Sequence, residues 1–183
     1  MKDSIRIKGK VTVQVFDQFG KIKRKNPGFL RRLFKLPGRL MVYAHHNTIT
    51  TEGAALIADA LLEAPNKAKV TGNTGHVQVG TGWTGNSPQN NTRCNNPTGT
   101  IIPLDNGYPA LMAAWGNVGA NTLVYRATFT AGTLNVNGIN ESALLNGNDS
   151  SASCMAYAQL TPTTNVTSYD TLQVVWELTI LAQ

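Results

Sequence analysis

A chain of 183 residues, 42% of them hydrophobic, can bury one core and is short for two. Charged residues make up only 14%, and polarity comes instead from 21 Thr, 18 Asn and 17 Gly, a balance that favours strands joined by many turns. The net charge of +6 is lopsided: residues 1–40 hold twelve of the 16 Lys and Arg and two of the ten acids, net +10, while the remainder nets −4. Charge segregated in this way points to an N-terminal part that meets an acidic partner.

The first element is Ser4 to Phe16, where Ile5, Ile7, Val11, Val13 and Val15 share one face and Arg6, Lys8, Lys10, Thr12 and Gln14 the other. That period of two predicts a half-buried strand, followed by a turn at Asp17–Gly20. The pattern then breaks into a basic amphipathic insertion at 21–40. Within it, two Pro-Gly pairs bracket Phe29 to Leu36, whose spacing predicts two turns of amphipathic helix. Leu40 to Ile49 reads as a strand. The strongest helix signal follows near 52–63: Thr50 or Thr51 caps it, Glu52 complements its dipole, Leu56, Ile57, Ala60 and Leu61 form its stripe, and Pro65 ends it.

His76 to Val79 is a short strand. Residues 83–121 form a Gly/Asn-rich loop region with little periodicity, read as either a surface insertion or strands without a visible pattern. Alternation returns at Thr122 to Phe129. Gly132 to Leu145 reads as a crossover, and Ser153 to Leu160 and Tyr169 to Gln183 as strands. The expected architecture is a single domain over 1–183: an all-β, mainly antiparallel β-sandwich of seven or eight strands, with one short helix packed on it.

Motifs for chemistry are weak. Gly80-x-Gly82-x-x-Gly85 follows a strand, as a dinucleotide fingerprint does, but Asn86-Ser-Pro cannot open the required helix, so a tight turn or bulge is the better reading. His45 and His46 are adjacent in a strand and face opposite ways, which disfavours a shared metal. Cys94 and Cys154 have no metal-ligand spacing and make no disulfide framework, and Cys154 reads as a small buried hydrophobe. No nucleophile elbow or paired carboxylates stand out. The expectation is therefore no enzyme activity, no metal and no cofactor. Without a signal-type or membrane-spanning apolar run, the chain is expected to be made in a cytosol, to stay soluble and to have no membrane partner.

The basic insertion is the unusual feature. Four large apolar residues so close together have no use in a solvated loop, so docking on another protein is the expected role of Lys23, Arg24, Lys25, Phe29, Leu30, Arg31, Arg32, Leu33, Phe34, Lys35 and Arg39. Nucleic acid is a weaker candidate for the partner. Trp83, Tyr108 and Trp115 are candidate glycan-stacking or interface aromatics.

Several stretches carry a resemblance. They are Val13-Gln-Val-Phe-Asp-Gln-Phe-Gly-Lys21, Asn47-Thr-Ile-Thr-Thr-Glu-Gly running to Leu62, and His76-Val-Gln-Val-Gly-Thr-Gly82. Tyr125 to Gly132, Ile139-Asn-Glu-Ser-Ala-Leu-Leu-Asn146 and Thr171-Leu-Gln-Val-Val-Trp-Glu-Leu-Thr179 complete the set. In this order they resemble a diffuse family of small virion structural proteins of tailed bacteriophages, assigned variously to head decoration, collar and tail. The resemblance implies a β-sandwich-like, multimeric virion component whose partners are other virion proteins (capsid, collar or tail), with no catalysis and no shared active-site residues. The function expected on this basis is a head or collar decoration or cement protein docked through its basic N-terminal segment. The alternatives are a tail, baseplate or fibre accessory protein, or a host-glycan-binding module.

Overall fold

A computed structural model describes residues 5–25, 32–35, 38–85, 87–112 and 121–182. Nine strands form one continuous sheet: β1 (Ile5–Phe16), β2 (Val42–Ile49), β3 (His76–Gly80), β4 (Pro97–Pro103), β5 (Ala110–Leu111), β6 (Thr122–Phe129), β7 (Val136–Leu145), β8 (Cys154–Val166) and β9 (Thr171–Ala182). Their order is β4-β3-β7-β8-β2-β1-β9-β6-β5, and every pairing is antiparallel.

The sheet curls because β2 changes partner partway along. Val42–His46 pair with β1, and Asn47–Ile49 pair with β8. The two halves therefore face each other as a sandwich-like pair of layers. Val11, Val13, Val15, Tyr125, Ala127, Phe129, Leu172, Val174, Trp176 and Leu178 come from one layer, and Val77, Val79, Ile139, Leu144, Ala156, Ala158 and Leu160 from the other. All belong to one buried core. The expected all-β fold, with a short helix packed on it at Thr51–Asp59, is the fold observed among the described residues.

Three features differ from the sequence reading, and a fourth decides between two alternatives it left open. The helix α1 runs Thr51–Asp59 and stops before the apolar stripe ends. The Asp59 carboxylate accepts from the backbone N–H groups of Asn66 (3.0 Å) and Lys67 (2.9 Å), drawing the chain back and leaving Leu61 84% exposed. The crossover expected at Gly132–Leu145 is mostly the strand β7, whose register slips at Val136/Ile139, Ile139/Glu141 and Leu144/Leu145 break the period of two.

The loop region 83–121 contains a 3₁₀ turn (Pro88–Asn90) and the strands β4 and β5. β4 lies at the sheet's edge, begins and ends on Pro, and pairs with β3 across a bulge, so it carries no alternation to read. Finally, β8 extends to Val166 and is buried on both sides over Cys154–Ala158, where Met155, Ala156 and Ala158 join the main core and Cys154 and Tyr157 pack with Cys94 and Trp83.

The basic insertion is closed at its base. Lys23 N–H donates to Val15 C=O (2.7 Å), Met41 N–H to Lys23 C=O (2.7 Å), and Lys25 N–H to Arg39 C=O (2.8 Å). Of the helix expected over Phe29 to Leu36, only Arg32–Lys35 lie among the described residues, and they form a single turn with Lys35 N–H donating to Arg32 C=O (3.1 Å).

Candidate functional site

Two regions gather polar residues from distant parts of the chain: a buried carboxylate hub under the glycine-rich loop, and the basic surface of β1 and the insertion.

The hub is Glu141, on β7 and fully buried. Its Oε1 accepts from the backbone N–H groups of Gly82 (2.8 Å) and Asn96 (2.9 Å). Its Oε2 accepts from Asn95 N–H (2.9 Å) and from the Tyr157 hydroxyl. The preceding Asn140 accepts from Trp83 N–H (3.0 Å). Four donors saturate the carboxylate, which clamps the 81–96 loop over the outer face of β7 and β8. Burial, with the Glu141 carboxylate close by, pushes the Tyr157 hydroxyl well above the ordinary tyrosine range.

The glycines of Gly80-x-Gly82-x-x-Gly85 explain themselves here. A Cβ at Gly80 would lie 2.4 Å from Glu141 Oε1, and one at Gly82 would lie 2.4 Å from Asn96 N. Close approach to the carboxylate requires glycine at Gly80, and close approach to the Asn95–Asn96 segment requires it at Gly82. Beneath the loop, Cys94, Ala143, Leu145, Ala152, Cys154 and Tyr157 form a second small core. Both thiols are free, and burial raises their pKa, that of Cys154 to about 12.

The other quoted motifs are joints of the same kind. Thr50 accepts from Gly53 N–H (2.9 Å) as the cap of α1, and its hydroxyl donates to Cys154 C=O. Glu52 accepts from Cys154 N–H (2.7 Å). Asn146 accepts from Ser153 N–H (2.7 Å) and donates to Ala68 C=O (2.8 Å). Sequence reading missed Glu141 as a hub, because its ligands are backbone groups from residues that carry no pattern of their own.

The candidate docking residues divide. Lys23 pairs with the buried Asp170 (2.5 Å), Arg24 donates to Gly38 C=O (3.0 Å), and the Lys25 ammonium sits over the Tyr43 ring (5.3 Å from its centre). These three secure the base of the insertion. Arg32, Lys35 and Arg39 are exposed, as are Leu33 (63%) and Phe34 (68%). Phe29, Leu30 and Arg31 lie outside the described residues, and so does Trp115.

Trp83 stacks on Tyr157 (centres 5.6 Å apart), while Tyr108 has the Arg126 guanidinium over its ring (4.5 Å). The two aromatics pack against different core clusters and form no common platform. The histidines are also apart in role. His76 Nδ1 meets Thr74 C=O (2.8 Å), His45 Nδ1 accepts from Thr161 N–H (3.3 Å), and His46 is exposed. Among the described residues no group of three or more His, Cys, Asp or Glu could hold a metal ion. No described helix is long and apolar enough to cross a membrane.

Comparison with protein-family models, with curated proteins and with solved structures finds no match to this chain.

Proposed function

We propose that this chain is a non-enzymatic structural component of a tailed-phage virion, a head or collar decoration or cement protein that docks through its basic N-terminal part. The observation that carries the reading is the surface of the insertion. Leu33 and Phe34, two large apolar side chains, stand in solvent between the exposed bases Arg32 and Lys35, on a segment anchored at its foot by Lys23, Arg24 and Lys25. A partner surface with an apolar centre and an acidic rim would bury both halves of that pattern. The resemblance in sequence supports the assignment to virions. The residues that carry it, Thr50, Gly80, Gly82, Glu141 and Asn146, are joints of the fold, as expected if architecture rather than a reaction is what they have in common.

The test is co-sedimentation with particles of the encoding phage. Wild-type chain should pellet with heads that have been emptied of DNA and lack tails. The double variant Leu33→Asp/Phe34→Asp should stay in the supernatant while unfolding at the wild-type temperature. Binding to isolated tails but not to heads would replace the head address with a tail one. Binding to neither would end the virion reading.

A further inference from the structure

The N-terminal half of β1 has an open edge, and the open edge has the chemistry of a receptor. Val15 N–H donates to Met41 C=O (3.2 Å) and Val15 C=O accepts from Lys23 N–H, so the odd-numbered residues of β1 aim their backbone groups away from β9. The register with β9 runs unbroken from Ile5 to Phe16. β2 covers the other edge only as far as Lys10, because at Asn47 it leaves to pair with β8. The Lys10–His46 rung, which joins Gly9 C=O to Asn47 N–H, is the last with β2, so it is Ile5 and Ile7 that present N–H and C=O groups on this edge with no strand partner among the described residues.

A cleft of about 560 Å³ lies on the outer face of the sheet beside this edge, lined by Arg6, Lys8, Lys10, His46, Asn47 and Glu177 among others. Asn47 closes one end. Its Oδ1 and Nδ2 are shielded from solvent without a partner among the described residues, and they sit where a Cβ on Gly9 would be. On the inner side of the same edge, Ile7 also lines an apolar groove of about 270 Å³ under α1, with Leu56, Ile57, Leu61, Met155 and Ile180. Outward from the edge stand the exposed Arg6 and Lys8, which make no ion pair among the described residues, and Lys10, paired at 3.3 Å with Glu177.

We infer that this edge receives an extended segment of a partner protein as an added strand, with acidic and apolar residues alternating along it. The backbone of Ile5 and Ile7 supplies the ladder bonds, the groove under α1 takes the apolar side chains, and Arg6 and Lys8 take the carboxylates. The period of two makes such a segment fit both faces at once. A second copy of this chain is a poor occupant, since edge-to-edge pairing of two β1 strands would set Arg6, Lys8 and Lys10 against their counterparts. The site is separate from the exposed turn at Leu33 and Phe34, and it stands or falls independently of the virion reading.

The experiment titrates the full chain with the capped peptide Glu-Val-Glu-Val-Glu-Val-Glu, followed by backbone amide spectra and hydrogen exchange. The expected result is saturable binding, with exchange slowed at Ile5 and Ile7. N-methylating one alternate set of peptide amides should abolish binding and methylating the other set should not. Lys8→Glu should weaken binding about ten-fold, as loss of a paired interface charge does. No saturable binding by the folded chain would overturn the inference. So would binding that ignores N-methylation, or equal binding of a block peptide of the same composition or of duplex DNA, which would mark a plain anion-binding face. A peptide-free dimer protected at Ile5 and Ile7 would overturn it in favour of a second copy.

Discussion

Glu141 is the residue on which most of the local structure depends. Three backbone N–H groups from Gly82, Asn95 and Asn96 and one hydroxyl from Tyr157 converge on a carboxylate with no access to water. Removing it strands those donors, and each buried orphan costs free energy comparable to its lost hydration. Glu141→Ala should therefore lower stability by about 3 kcal/mol or more in urea unfolding. It should also open the 81–96 loop to protease before the rest of the chain unfolds. A variant with wild-type stability would show that the clamp contributes nothing.

Asp170 is the second informative carboxylate, 3% exposed in the turn before β9. Burial by itself would raise its pKa, but hydrogen bonds from the Lys23 ammonium and from the Thr167 amide and hydroxyl outweigh burial and hold it below its usual value. A depressed folded-state pKa gives stability that is fully present above the unfolded value, 3.8, and is lost as pH falls through the folded value. In acid titrations of the unfolding midpoint, the wild type should lose stability through that window, and Asp170→Asn should be less stable at neutral pH with a shallower acid decline. An identical acid decline in the two proteins would assign the loss to other groups.

At the scale of elements, α1 is held by its first turn. Thr50 caps Gly53 and reaches Cys154 C=O, Glu52 accepts from Cys154 N–H, and a Cβ at Gly53 would lie 1.9 Å from Met155 O. Thr50→Ala should cost about 1–2 kcal/mol by chemical denaturation, through loss of the cap. A smaller loss than that of an exposed substitution would show the cap to be redundant.

The start of this helix was readable because caps are local: Asn47-Thr-Ile-Thr-Thr-Glu states the geometry in adjacent letters. Its end was not, because the Asp59 carboxylate at its last residue accepts from Asn66 and Lys67, seven and eight residues later. β1, β6 and β9 were legible for the same reason of locality, since each has one face in the core and keeps a period of two. β7 was misread because bulges shift its register, and β4 carries no readable pattern because it is an edge strand between prolines. The partner change in β2 that closes the sheet leaves no mark in the sequence at all, nor do the four donors around Glu141.

At the scale of the whole molecule, the charge asymmetry and the fold coincide. The N-terminal residues that hold most of the positive charge make one central strand with a basic outer face and one anchored insertion, while the 81–96 loop seals the outer face of β7 and β8. Leu33→Asp/Phe34→Asp touches only exposed side chains, so its stability should stay within about 0.5 kcal/mol of wild type. A larger loss would mean that this turn packs on its own domain and is not a docking surface.

If the proposed virion role holds, quantitative mass spectrometry of purified phage particles should find the chain in a fixed ratio to the major shell subunit, retained through density-gradient purification. Its absence from purified particles that carry every other structural protein would rule that role out.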